Sequence, residues 1–167
     1  MERFARTASG LAETLVEILA ENVGVKFTYF HENCPPSSSY LRLNRYPPCP
    51  YSSSDQLVRG LIPHTDTDFL SVVYQDHIGG LQLLKDGRCF GALSNGVYKS
   101  VKHRVVASEH FERFSSAYFY CPTNEVMVES HGQPAIYRKF SFKEYKQQSQ
   151  KDVEVTGEKV GPQRFLQ

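Results

Sequence analysis

The chain has 167 residues, enough for one domain with a real core, and 40% of them are hydrophobic against 22% charged, the profile of a globular protein. Nineteen basic and eighteen acidic side chains leave a net charge of +1, which gives no electrostatic reason to expect a nucleic-acid partner or an anionic membrane. No apolar run approaches the ~20 residues that cross a bilayer, and Glu2, Glu13 and Glu17 interrupt the N-terminal stretch against a secretory signal or a transit peptide, so a cytoplasmic protein is expected.

In chain order, residues 2–22 read as an amphipathic helix, because Phe4, Leu11, Leu15, Ile18 and Leu19 recur at three- and four-residue spacing and form one stripe. "HENCPPSSS" ends that segment as a loop. "YLRLNRY" (40–46) alternates, with Tyr40, Arg42, Asn44 and Tyr46 on one face and Leu41, Leu43 and Arg45 on the other; "PPCP" stops it. Short strand-like pieces follow at 69–74, 81–85 and 97–101, with turn signals at Asp86-Gly87 and Asn95-Gly96. Residues 113–122 read as an aromatic-rich strand stopped by Pro122, and 140–152 as a helix with a polar face. Ten tyrosines and eleven phenylalanines without tryptophan suit aromatic strands. Cys34, Cys49, Cys89 and Cys121 form no CxxC pair, which argues for free thiols over a zinc ribbon or a thioredoxin motif. The pattern is a mainly β chain flanked by helices, a barrel or double-sheet jelly roll.

The chemistry concentrates in "GLIPHTDTDFL". In extended backbone, His64 and Asp66 point the same way, and "VYKSVKHRVV" supplies a third candidate ligand in His103. Two imidazoles and one carboxylate on one face leave coordination positions open, as in non-haem Fe(II) oxygenases; an all-oxygen set would favour Mg²⁺ or Ca²⁺ and thiolates zinc. Alone, an HxD triplet is as well explained by a polar turn. Ten residues beyond His103, Arg113 and Ser115 share a strand face. A guanidinium grips a carboxylate through two parallel hydrogen bonds, and a nearby hydroxyl adds another, a pair suited to a dicarboxylic acid whose other end chelates the metal. The competing reading of Arg113 is a surface ion pair with Glu112 or Glu109. Tyr46 and Asn44 can close the same pocket, or simply belong to a strand end rich in turn residues. His31, His77, His110 and His131 read as surface or loop histidines.

Together, "LRLNRYPPCP", "GLIPHTDTDFLSVVYQDHIGGLQLLKDGR", "SNGVYKSVKHRVV" and "ERFSSAYFYCP" resemble the plant 2-oxoglutarate- and Fe(II)-dependent dioxygenases, in particular the gibberellin 2-oxidases of the C20 type. The resemblance implies a double-stranded β-helix, a jelly roll, over 31–138, with a flanking helix and loop at 1–30 and a helix and tail at 139–167. It implies His64, Asp66 and His103 as catalytic iron ligands. Arg113 and Ser115 would bind the distal carboxylate of 2-oxoglutarate, with Tyr46 and Asn44 on the same co-substrate. The implied reaction consumes O2 and 2-oxoglutarate, releases succinate and CO2, and hydroxylates carbon 2 of a gibberellin-like diterpenoid acid, with ascorbate as a supporting reductant.

Two departures from that family are expected to matter. Met1 aligns with the middle of a family member, and His64 and His103 are only 39 positions apart, closer than in the family. The shortfall falls between "KDGRCFG" and "ALSNGVYKS" and amounts to about one core strand with its turns, so the jelly roll is expected to be incomplete. Each backbone group left buried and unpaired costs ~1–3 kcal/mol, against a total stability of ~5–15 kcal/mol. The alternatives are therefore a catalytically impaired fragment of such an enzyme, a related dioxygenase acting on another plant metabolite, and a hydrolytic metal site that would leave Arg113 and Ser115 without a role.

Overall fold

The computed structural model describes residues 2–26, 28–51, 57–84 and 92–167. The chain begins with α1 (Glu2–Asn22), the helix expected from the apolar spacing. A short α2 (Thr28–Asn33) runs into the segment expected as loop and stops where Pro35 and Pro36 cannot continue it, and a single 3-10 turn covers Pro36–Ser38. The strands are β1 (Tyr40–Tyr46), β2 (Arg59–His64), β3 (Leu70–Gln75), β4 (Leu81–Leu84), β5 (Lys102–Val106), β6 (Arg113–Tyr120), β7 (Met127–Val128) and β8 (Phe140–Ser141). Helix α3 (Phe142–Thr156) follows directly. The Ser141 hydroxyl caps it by accepting from the Glu144 N–H at 3.0 Å, and Gly157 ends it in the left-handed conformation at φ 74°.

Two corrections concern these elements. The face α1 buries is the row Ala8, Ala12, Val16 and Ala20, while Phe4, Leu11, Leu15 and Ile18 are exposed, Ile18 to 54%. Of the expected stripe, Leu19 packs against the core. Small side chains let a helix backbone lie close to a sheet, so the alanine row makes the contact although the larger residues carry the stronger hydrophobic signal. Residues 97–101 are not a strand. Asn95 (φ 50°) and Gly96 (φ 87°) form the expected turn, and the amides of Val97 and Tyr98 are taken up by the carbonyl and hydroxyl of Ser94. The strand starts instead at Lys102, where Val105 and Val106 enter the core. The Asp86-Gly87 turn and Cys89 lie outside the described residues.

The strands form two antiparallel three-stranded sheets, ordered β1-β6-β3 and β2-β5-β4, with β7-β8 as a separate ribbon. This is the jelly-roll arrangement with fewer strands: a complete jelly roll has eight strands in two sheets. Each sheet thus has three strands among the described residues, and the expected shortfall of one strand adjoins residues 85–91, which lie outside them. Helix α1 packs on the outer side of the first sheet, where the Tyr118 hydroxyl on β6 donates to Ser9 at 3.0 Å. The core beneath is largely aromatic, joining Phe30 of α2, Phe69, Tyr118 to Tyr120 of β6, and Phe140, Phe142, Tyr145 and Phe165 near the C-terminal end; the Phe140 and Phe165 rings stack at 4.1 Å. Cys34, Cys49 and Cys121 are free thiols, as expected, and burial pushes the Cys34 thiol up to about 12. No helix among the described residues is long and apolar enough to cross a membrane.

The inverted burial of α1 is directly testable by urea denaturation. Ile18→Gln is expected to change stability by no more than about 0.5 kcal/mol. Ala12→Asp, which places a charge at a fully buried position, is expected to cost roughly 3 kcal/mol or more.

Candidate active site

The two sheets face one another across a cavity of about 430 Å³ lined from both sides. From the second sheet come His64 and His103, brought together by strand register. Antiparallel pairing of β2 with β5 sets His64 directly opposite His103, and their ring centroids are 4.3 Å apart. Two register shifts along β2 precede this pair, which adjusts the strand so that its last residue faces inward. Asp66 lies just beyond the end of β2. It reaches the same point through a turn, where strand alternation was expected to carry it. Its Oδ1 is 3.6 Å from His64 Nε2 and 3.8 Å from His103 Nε2. One ligand atom from each of the three residues falls within 4.8 Å of the others, a spacing that can hold a metal ion.

The imidazoles are oriented from behind. His64 Nδ1 lies 2.8 Å from the Ile62 carbonyl and His103 Nδ1 lies 3.1 Å from the Val101 carbonyl. A carbonyl only accepts, so Nδ1–H donates in each case and Nε2 is the nitrogen turned toward Asp66. The hydrogen bond with Asp66 raises the His64 pKa, outweighing the burial that lowers it. Burial pushes Asp66 up, but hydrogen bonds from His64 and Ser71 prevail and hold its pKa below the usual carboxylate range. The cluster therefore attracts positive charge.

A second carboxylate stands behind the first. Ser71 Oγ is 2.5 Å from Asp66 Oδ2 and 2.8 Å from Asp68 Oδ2. Asp68 is buried, and burial together with the Asp66 charge pushes it up to about 7. One hydroxyl proton can serve only one carboxylate. The Ser71 hydroxyl thus bridges two carboxylates with opposed shifts, Asp66 lowered and Asp68 raised.

The first sheet supplies the other half of the cavity. Pairing of β1 with β6 sets Tyr46 opposite Arg113 and Asn44 opposite Ser115, so the four residues proposed for one ligand from sequence are two adjacent cross-strand pairs. Arg113 is 2% exposed. Its guanidinium donates to Gln75 Oε1 at 2.6 Å and to Ser115 Oγ at 3.3 Å, and lies 5.1 Å from the centroid of the Tyr46 ring. Asn44 Nδ2 donates to the same Ser115 hydroxyl at 3.4 Å. The Tyr46 ring is seated over Gly60 of β2, where a Cβ would come within 2.6 Å of it. Neither acidic neighbour pairs with Arg113: Glu112 takes Arg45 at 2.6 Å and Glu109 takes His110 at 3.6 Å. No ion pair to Arg113 is found among the described residues, and its Nε has no hydrogen-bond partner. A buried guanidinium without an ion pair among the described residues, at one end of a cavity whose other end gathers two imidazoles and a carboxylate, fits an acid that chelates a metal.

The sequence matches the 2OG-Fe(II) oxygenase superfamily over residues 37–122, a span that contains all seven of these residues. The chain belongs to that superfamily. Among curated 2OG-Fe(II) oxygenase relatives, gibberellin 2-beta-dioxygenase 8 of Arabidopsis thaliana is 48% identical over an alignment covering 99% of this chain and 53% of that protein. The chain spans about half the length of the curated relatives it matches. That alignment has 183 positions, sixteen more than the chain has residues, so the relative carries internal segments with no counterpart here. Of solved structures, a rice dioxygenase for auxin oxidation superposes with a TM-score of 0.80 at 26% identity, covering 99% of this chain and 62% of that one. JOX2 in complex with 2OG, Fe and JA superposes with a TM-score of 0.74 at 28% identity, covering 87% of this chain and 50% of that one.

Within this oxygenase framework, two residues of β3 escaped the sequence reading. Ser71 and Gln75 sit four apart on that strand, so both face the cavity side, Ser71 against Asp66 and Gln75 against Arg113. The available signal was the polar Ser71 and Gln75 recurring at even spacing around Val73. Removing the Ser71 donor is expected to raise the pKa of Asp66. A carbon-13 NMR titration of the Asp66 carboxyl in Ser71→Ala should show an upward shift, and an unchanged value would mean that Ser71 does not donate to it.

Proposed function

We propose that His64, Asp66 and His103 hold a ferrous ion and that Arg113, Ser115, Tyr46 and Asn44 bind 2-oxoglutarate, so that the chain works as a 2-oxoglutarate-dependent dioxygenase on a gibberellin-like acid. The observation that supports this best is the shared cavity, with three converging ligand atoms and a buried guanidinium that has no ion pair among the described residues. When bound, Fe(II) and 2-oxoglutarate supply the oxidation, in which O2 is consumed, 2-oxoglutarate becomes succinate and CO2, and a substrate C–H bond is hydroxylated. The chain's own part is positioning. The Ile62 and Val101 carbonyls hold both imidazoles with Nε2 inward, and Ser71 keeps Asp66 ionised and aimed at them. Arg113, steadied by Gln75 and by the Tyr46 ring, receives a carboxylate at the far end and fixes the orientation of the keto acid. The gibberellin-type substrate rests on the name of the 48%-identical relative. The segment boundaries 1–30, 31–138 and 139–167 belong to the same proposal.

A second reading is favoured by the two sheets having only three strands each among the described residues: the chain binds metal and co-substrate but turns over poorly. Assaying the purified protein with Fe(II), ascorbate, 2-oxoglutarate and a gibberellin separates the two. Stoichiometric succinate and hydroxylated gibberellin support the enzyme, and binding without product supports the impaired form. Binding itself has sharper expectations. Asp66→Ala and His103→Ala should abolish Fe(II) uptake measured by calorimetry. Arg113→Met should weaken 2-oxoglutarate roughly ten- to a hundredfold, as loss of a charged hydrogen bond implies, while leaving metal affinity unchanged. Metal affinity unaffected by Asp66→Ala would overturn the site.

A further inference from the structure

The segment between α3 and the 3-10 turn at Gly161–Phe165 touches the metal-type cluster from outside the cavity. Lys159 Nζ donates to the Thr65 carbonyl at 2.7 Å and to the Asp66 carbonyl at 2.6 Å. These are the two residues that follow His64, and the β2–β5 ladder ends at His64, so neither carbonyl takes part in a strand pair. Their acceptor capacity is met by a side chain more than ninety positions away in sequence.

We propose that Lys159 is a positioning residue for the metal centre, its ammonium group clamping two successive carbonyls so that the turn delivers the Asp66 carboxylate to the two imidazoles; this rests on the metal reading above. An ammonium group has three donors and no acceptor, so it binds carbonyls from outside and adds no ligand of its own. Charge-assisted donation to two consecutive carbonyls restrains both peptide planes, and with them the direction in which Asp66 leaves the backbone. Strand geometry cannot supply that restraint, because Asp66 lies past the strand end.

The connector that carries Lys159 is itself held in place. Gly157 ends α3 in the left-handed conformation, and the buried Asp152 on α3 accepts from Arg164 at 3.0 Å, tying the 3-10 turn back to the helix. The Lys159 ammonium also lies 5.6 Å from the centroid of the Tyr145 ring on the same helix. One residue earlier, Glu158 pairs with Lys102 at 3.3 Å, beside His103 on β5. Consecutive residues of one connector thus contact both chain segments that carry the candidate ligands.

The test compares the full chain with Lys159→Met, which keeps the apolar stem and removes the donors, and with Lys159→Arg, which keeps the charge and donors. Co(II) serves as the spectroscopic probe. Loss of an outer-shell partner typically costs about ten- to a hundredfold in metal affinity, and that loss is expected in Lys159→Met, with a changed Co(II) visible spectrum and substantial rescue by Lys159→Arg. In the metal-free protein, amide exchange of residues 64–68 is expected to accelerate in Lys159→Met and not in Lys159→Arg. Wild-type affinity, spectrum and exchange in Lys159→Met would overturn the inference while the metal reading stands. A wild-type chain that fails to bind Co(II) would overturn the metal reading, and the clamp's role with it. Should Lys159→Met not fold, Lys159→Gln against Lys159→Arg decides in the same way: equal Co(II) affinity overturns the clamp, and loss in Lys159→Gln alone supports it.

Discussion

The antiparallel register between β2 and β5 places His64 opposite His103, and the metal-type cluster exists only while that register holds. Side chains alternate across a strand, so a slip of one position would send one imidazole to the other face of the sheet. The register shifts in β2 and the helix-to-tail connector on the far side of the turn act on the same point: they define where the strand ends and how the chain leaves it. Asp66 is the candidate ligand most exposed to error, since no strand pairing holds it. It is accordingly the one with the most supports, from Ser71 on β3 and from Lys159 on its own carbonyl and that of Thr65.

The opposite wall follows the same logic with different chemistry. Two neighbouring cross-strand pairs, Asn44 with Ser115 and Tyr46 with Arg113, gather one amide, one hydroxyl, one ring and one guanidinium. Burying a guanidinium is costly, and Gln75, Ser115 and the Tyr46 ring soften that cost without removing the charge. The cavity is left with an excess of positive character at one end and a charge-seeking donor set at the other, an asymmetry that favours a ligand carrying a carboxylate away from its chelating group. Asp68 sharpens the contrast. Burial and the charge of Asp66 push its pKa up while hydrogen bonds hold that of Asp66 down, and the Ser71 hydroxyl lies between the two carboxylates.

Both sheets carry these groups with three strands each, while the matched relatives are about twice as long and contain internal positions absent here. Of the cavity walls, the described strands retain those that bear the ligand-type residues. Between β4 and β5, the described residues 92–101 form no strand: Leu93 and Ser94 are buried, and the Leu93 carbonyl accepts from the His131 amide.

By itself the sequence nominated the candidate site residues His64, Asp66, His103, Arg113, Ser115, Tyr46 and Asn44, because residue type and even spacing are local properties, as are the bounds of α1 and β1; that Asp66 converges from beyond the strand end was not legible. Tertiary structure decided the rest. The buried face of α1 depends on how closely a sheet approaches it, so the larger residues of the apolar stripe gave the wrong side. Gln75 and Ser71 acquire roles only once β3 lies beside β6, and Lys159 only once the tail reaches the end of β2. Such pairings depend on long-range register, which no window of neighbouring residues encodes.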